Sequence, residues 1–409
     1  MIRGRMMRIN KIFNSVLAIL IVLIWLMPVS NMPNTLNETM IRNCYWMNII
    51  VLLAVIIYEK TIRAGLSLIS LGMIALLLIC TWLFHSYYEN ISVVSFGYLY
   101  NYISFCLLIN INPRRLSKVR IWDALLDVIC VLLITVGILM FLGNEQIEQF
   151  LRTFYVNHYS YVYTVMFMSK KTVTFFATHS ISCFIYFMIW WMLEYRNSIK
   201  FEVKNIIFMI GIIFDIVMCL SVSAVMCSIM IAGYYYIKWT KKATKRNIIF
   251  SLILIVGIIL AVITNASTID TILSSNVNGI NGRLGTNGNL WATLKFALQS
   301  LIPFGLCDVT GYWLTDGGYF MHFIRGGVLL IVLYYYGLFK LLKNNIKDAN
   351  KRYVLFFSLM LFEIGYQFTN CMRFFMIMLF LLCFCQYKDA NYQVNNGETN
   401  SHRKVVFNI

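Results

Sequence analysis

Apolar runs long enough to cross a bilayer follow one another almost without pause along this chain, and that repetition leaves few folds open. A spanning helix needs about 20 residues. Roughly twelve runs qualify, several of them short, beginning near Phe13, Cys44, Ile62, Ile91, Ile121, Thr172, Val203, Val222, Asn247, Tyr319, Tyr353 and Phe374. In hydrocarbon every backbone N–H and C=O must find its partner inside the protein, so consecutive spans of this kind fold as helices. Composition agrees, with 60% hydrophobic and only 12% charged residues and a mean hydropathy of +0.73. The expected fold is all-α, a single integral membrane domain over residues 1–409. About twelve transmembrane helices are expected, with one large extracytoplasmic loop at 265–318 and a cytoplasmic tail at 388–409. The first run closes on Trp25, Met27 and Pro28 without a small-residue cleavage site, and is read as a retained helix.

The formal charge of +17 is explained by topology and not by nucleic acid. Short cytoplasmic loops collect Lys and Arg. With the N-terminus inside and alternating spans, all but eight of the 34 basic residues fall in inside segments. The eight are Arg42, Arg152, Lys170, Lys171, Arg283, Lys295, Arg325 and Arg373. Both termini are therefore expected in the cytoplasm of a multi-pass plasma-membrane protein.

Cysteines lie mostly within spans, and none pair at metal-ligand spacing. Cys383 and Cys385 form a CxC that suits core packing, while Cys307 in the outer loop is open to a disulfide. The chain has no GxxxxGK[ST] loop, no HExxH and no DxD run, so no nucleotide, metal or other cofactor is expected.

Two long runs look broken. Val203–Lys238 is interrupted by Ser221 and Ser223, and Tyr353–Tyr387 by GYQFTNCMR. Asp215 and Glu363 then fall near outer helix ends, facing either a cavity or interfacial water. Outside, EQIEQFLRTFY sets Ile147, Phe150, Leu151 and Phe154 at helical spacing, as in an interfacial amphipathic helix. Tyr155, Tyr159, Tyr161 and Tyr163 follow, suited to an aromatic belt or to sugar rings.

The long polar interruption from Asn265 to Gly318 is where chemistry should gather. Within it NLWATLKFALQSL places Leu290, Leu294, Leu298 and Leu301 on one helical face behind Asn289, predicting a surface helix. Upstream, NGINGRLGTNG surrounds Arg283 with glycines that let backbone amides approach an anion. Arg325, in HFIRGG, is expected at the outer end of the tenth span.

These pieces carry a resemblance. Gly282-Arg283, Trp291, Pro303 with Gly305, then Asp316, Tyr319 and Gly327 follow the order seen in the O-antigen ligase and polysaccharide polymerase superfamily of Wzy type. FFATHSISCFIY resembles that family's G-T-F-x-x-x-N entry and sets His179 at the membrane's outer edge. CLSVSAVMCSIM is similar to its S-x-S-R helix start, with Ala224 where the family carries Arg. The likeness runs from about Thr172 to Ile331. It implies a membrane glycosyltransferase that moves a growing glycan from polyprenyl pyrophosphate onto the next lipid-linked repeat unit at the outer face. Its partners would be the polyprenyl-pyrophosphate-linked oligosaccharide, the lipid bilayer and other polysaccharide export or chain-length proteins, with no nucleic acid.

Breaking a bond from sugar to pyrophosphate develops negative charge that preorganised cations stabilise. Arg283 and Arg325 are the candidates, with Lys295 and Arg373 in reserve. The acceptor hydroxyl needs a base; Asp316 and His322 are candidates, and His179 is a rival. The competing readings are the ligase branch and a flippase of the lipid-linked unit.

Overall fold

The computed structural model describes residues 2–27, 38–60, 64–155, 171–176, 179–240, 289–312, 317–365 and 367–395. Their α-helices, in chain order, are α1 (Ile2–Leu26), α2 (Glu38–Glu59), α3 (Ala64–Tyr87), α4 (Phe96–Ile109), α5 (Ile121–Phe141), α6 (Glu145–Tyr155) and α7 (His179–Ile199). There follow α8 (Val203–Met218), α9 (Val222–Thr240), α10 (Asn289–Ser300), α11 (Gly318–Asn345), α12 (Ala349–Gly365) and α13 (Met372–Asn395). Every apolar run expected to span the bilayer is helical except the one from Asn247, which lies outside the described residues. Among the described residues three helices, Gly65–Tyr87, Ile121–Phe141 and Gly318–Asn345, are long and apolar enough to cross a membrane. The fold is all-α and its apolar helices are those of a membrane protein.

Burial sorts the helices into two kinds. A helix that is apolar all round belongs in the middle of a bundle. Every residue from Phe374 to Cys385 in α13 is fully enclosed, and Ile181 to Leu193 of α7 is buried nearly as completely. α13 packs against α1, α2, α4, α5, α7 and α11. Outer helices show one apolar face to each side. α3 turns Met73, Leu77 and Phe84 inward and Leu68, Leu71 and Trp82 outward, an arrangement that lipid solvates and water would not. Cys383 and Cys385 are core thiols of α13, and Cys307 is free.

Both long runs break where polar residues interrupt them. α8 ends at Met218, Leu220 adopts φ +46°, and α9 begins at Val222. Ser221 Oγ accepts the Ala224 N–H at 3.2 Å, filling one of the donor positions that a helix start leaves open. The second run breaks between α12 and α13. Asp215 and Glu363, however, are wholly buried, so the interfacial reading of these two carboxyls is corrected.

At one end of the bundle the basic residues assigned to inside loops meet acidic partners. Arg196 lies 2.6 Å from Asp127 and 3.8 Å from Asp123, Lys204 lies 3.1 Å from Asp127, and Lys388 lies 2.6 Å from Asp123. Lys238 pairs with Glu194, which also accepts the hydroxyls of Tyr234 at 3.0 Å and Tyr235 at 2.9 Å. Tyr195 donates to Asp389 at 2.6 Å. The first residues of the expected tail are thus the last turns of α13, held to the bundle by Lys388 and Asp389.

The other end carries a device with no sequence signal, a two-stranded antiparallel sheet. β1 (Ser92–Val94) pairs with β2 (Cys307–Val309), with Val93 opposite Asp308. The Ser95 N–H bonds Leu306 O at 2.9 Å and the Thr310 N–H bonds Ile91 O at 2.9 Å, continuing the ladder at both ends. α10 forms as expected, and its leucine face is not the side that packs on the protein. Leu298 and Leu301 are exposed, while Thr293 and Ser300 are buried and Phe296 packs on Phe84, Tyr88, Phe304 and Tyr312. Leucine is equally at home against lipid, so apolarity alone did not identify the protein-facing side. The Asn289 side chain lies outside the described residues. Of the residues named on α6, Leu151 is buried, Ile147 is half-buried and Phe150 is exposed.

Candidate functional site

α11 is two helical pieces in line. Gly326 (φ −152°, ψ 15°) and Gly327 (φ 65°, ψ −162°) leave helical geometry. The second is a conformation that glycine adopts without penalty. A break inside a bundle leaves carbonyls without their helical donors, and these must be satisfied by other protein groups. The loop supplies them. Phe304 N–H donates to Ile324 O at 2.8 Å and Gly305 N–H to Arg325 O at 3.0 Å. The Pro303–Gly305 turn is therefore seated in the break of α11. Its far side rests on α3, where the Leu306 N–H donates to Thr81 Oγ1 at 2.9 Å. A Cβ on Gly305 would lie 2.3 Å from Thr81 N and 2.7 Å from Leu77 O. Only a residue without a side chain fits there.

Arg325 occupies the last position before the break, fully buried and not at a span end as expected. Its Nη1 donates to Gly305 O at 2.8 Å and its Nε to Met321 Sδ at 3.0 Å. Its Cζ stands 3.3 Å from the centroid of the Tyr98 ring, a cation–π contact strengthened by desolvation. Nη2 reaches Asp308 Oδ1 at 3.4 Å. The Asp308 side chain is 44% exposed, so this edge of the guanidinium is the one nearest the surface. Burial pushes the neighbouring Cys307 thiol up from its ordinary value, with Arg325 opposing.

His322 precedes Arg325 by almost a turn and is also fully buried. Its Nδ1 lies 2.9 Å from the Tyr102 hydroxyl, while Nε2 has no hydrogen-bond partner among the described residues. The Tyr334 ring packs on the imidazole at 4.1 Å and stacks on Phe105 at 3.7 Å. Tyr334 donates to Thr369 O at 2.5 Å, and the Thr369 N–H donates to Glu363 Oε1 at 2.6 Å. Tyr335 donates to Glu363 Oε2 at 2.9 Å. Gly318 lies against the same carboxyl, since a Cβ there would stand within 3.2 Å of all three of its outer atoms. Polar groups thus run from exposed Asp308 through Arg325, His322 and the tyrosines to buried Glu363. Chemically the cluster offers a fixed cation beside a surface carboxylate, and an imidazole with one ring nitrogen uncommitted.

Of the residues picked from the sequence, the structure brings His322 and Arg325 together. Arg283 and Asp316 lie outside the described residues. His179 opens α7, with its side chain outside the described residues. Lys295 is exposed on α10. Arg373 is buried at the start of α13, donating to Met27 O at 3.0 Å and Phe175 O at 3.2 Å. Sequence reasoning missed Tyr98, Tyr102 and Asp308. Tyr98 and Tyr102 are four apart on α4, which sets them on one face, and Asp308 closely follows the Pro303–Gly305 turn in the same loop. Among the described residues no group of His, Cys, Asp and Glu is placed to hold a metal ion.

The fold and cluster define an all-α membrane protein with a buried cationic and tyrosine-rich site beneath a loop. Comparisons with family models, with curated proteins and with solved structures returned no match.

Proposed function

We propose that the chain is a multi-pass plasma-membrane glycosyltransferase of the Wzy type, a repeat-unit polymerase for a capsule, O-antigen or exopolysaccharide. In this reading it has about twelve spans. The ion-paired end with both termini faces the cytoplasm, and the end bearing the β1–β2 sheet faces outward. The observation that carries the proposal is the seating of the Pro303–Gly305 turn in the Arg325–Gly327 break of α11. It joins in space two of the separate segments on which the sequence resemblance rests.

The donor is an oligosaccharide on polyprenyl pyrophosphate. As the glycosidic bond to phosphate breaks, charge grows on the leaving pyrophosphate, and Arg283 with Arg325 balances it in a site of low dielectric. Asp308 keeps the outward edge of Arg325 paired when no donor is present. His322, through its uncommitted Nε2, or Asp316 accepts the proton of the attacking hydroxyl. The donor is already activated, so the reaction needs neither nucleotide nor metal. Outward apolar faces of the helices accommodate the polyprenyl tail.

The test is deletion of the gene in its host, with surface glycan resolved by gel and lipid-linked intermediates extracted, then complementation with Arg283→Ala and His322→Gln at matched protein level. Single repeat units at the surface without polymer support the polymerase. Intact polymer left on its lipid carrier transfers the proposal to the ligase branch, and repeat units trapped inside replace it with a flippase. Full-length polymer from Arg283→Ala removes that residue from the mechanism.

A further inference from the structure

The crossing of α5 and α8 is built on two glycines. A Cβ on Gly211 of α8 would stand 2.6 Å from Ile134 Cδ1 of α5, and a Cβ on Gly137 of α5 would stand 2.0 Å from Asp215 Oδ1 of α8. The exchange is reciprocal, each helix setting one side chain onto the bare backbone of the other. Small residues that let helices approach closely are a main source of association inside membranes. One of the two side chains seated here is a carboxyl.

Asp215 is wholly buried, and among the described residues neither of its oxygens has a hydrogen-bond partner. The polar groups around it are committed elsewhere. Thr172 Oγ1 donates to the backbone carbonyl of Asp215 at 2.7 Å. Tyr186 donates to Thr172 O at 2.9 Å, and Cys219 Sγ to the same oxygen at 3.3 Å. The titratable groups that face the carboxyl are Tyr186 of α7 and Cys219 just beyond α8, with Cys183 of α7 and Cys227 of α9 behind them. α5 offers Ile134, Gly137 and Met140 at this level; its own carboxylates, Asp123 and Asp127, are at the far end with Arg196, Lys204 and Lys388. An ionised carboxylate here would be a desolvated charge with neither donor nor counter-ion, which membrane helices avoid. A single carboxyl without further oxygen donors does not make a metal-cation site. The proton is the ligand that fits.

We propose that Asp215 is a membrane-embedded proton-binding site, its carboxyl carried as the neutral acid in the glycine-lined α5–α8 crossing and deprotonated only when the two helices part. The site lies within one turn of the end of α8, and the hydroxyls of Thr172, Tyr186 and Thr174 stand beside it. The inference is independent of the glycan-transfer reading.

The test is infrared spectroscopy of the full chain in lipid nanodiscs at neutral pH, for the wild type and Asp215→Asn. The expected result is a carboxylic-acid C=O stretch in the wild type that the variant loses, with the carboxylate bands unchanged. Loss of carboxylate absorption with the acid band intact overturns the proposal. Asn is a neutral planar replacement for a neutral acid, so the melting temperature should stay within experimental scatter; a variant that fails to fold counts against the proposal. Wild-type protein carrying carbon-13 at its aspartate carboxyls provides a reading without substitution. An acid band that shifts with the isotope is expected, and its absence overturns the assignment.

Discussion

Gly305→Ala is the substitution whose consequence the structure fixes most tightly. Gly305 has φ +57°, where an L residue pays about 1 kcal/mol or more. The added Cβ would also lie 2.3 Å from Thr81 N and 2.7 Å from Leu77 O, which belong to the α3 backbone and cannot rotate away. Overpacking of that kind costs about 1–3 kcal/mol. The sum, about 2–5 kcal/mol, acts on the local seating of the turn. Gly311→Ala is the control, because φ is +85° there and nothing lies within 4 Å of its would-be Cβ. It carries the backbone penalty alone. Cys307, two residues from Gly305, reports the opening, since it is free, fully buried and held in its thiol form by desolvation. Alkylation of Cys307 in detergent-solubilised protein should run about 5- to 150-fold faster in Gly305→Ala than in Gly311→Ala, the overpacking difference of about 1–3 kcal/mol read at about 1.4 kcal/mol per tenfold step. Equal rates in the two variants would refute the argument that contact with α3 holds the turn.

Tyr102→Phe removes the hydrogen bond to Nδ1 of the buried His322 ring, 2.9 Å long, and should lower stability by about 1–3 kcal/mol in thermal or denaturant unfolding. Adding His322→Phe to it should cost less than the two single changes summed, because the second removes the orphaned group. Gly137→Ala forces a methyl onto Asp215 and should destabilise by about 1–3 kcal/mol, with Asp215→Ala recovering most of the loss in the double variant; no recovery would show that the α5–α8 crossing is limited elsewhere. Ser221→Ala leaves the Ala224 N–H without its acceptor at the start of α9 and should cost about 1 kcal/mol, read from the melting temperature.

Helix positions were legible because spans must be long, apolar and helical, and the breaks at Ser221 and in GYQFTNCMR were legible because polar runs interrupt a membrane helix visibly. Which side of a helix meets protein was not. Leu298 of α10 and Leu301 just beyond it face outward although both are strongly apolar, and it is Phe296, Thr293 and Ser300 that pack inward. Lipid and core attract the same side chains, so the amphipathic pattern that orients helices in water loses its meaning. His322 and Arg325 were legible as site candidates from their types and place near the loop. Their partners were not, because Tyr98 and Tyr102 come from α4, more than two hundred residues earlier in the chain, and Asp308 is positioned by a sheet of three-residue strands that leaves no periodic trace. The adjacent glycines at Gly326 and Gly327 were the readable sign that α11 is interrupted. Of the two, only Gly327 belongs to the spacing pattern that carries the resemblance, and a spacing pattern does not mark a break.

α13, enclosed from Phe374 to Cys385, sets the order of manufacture. A ribosome delivers α1, α2, α4, α5, α7 and α11 to the membrane before the helix on which all six converge. Until Met372 onward has been inserted, their inward faces have no common partner, and the nascent bundle must wait as a loosely gathered set around an unfilled centre. Inserting α13 is therefore the step that fills that centre, and a nascent chain stalled before Met372 should remain open to protease and to membrane quality control even with every earlier helix in place.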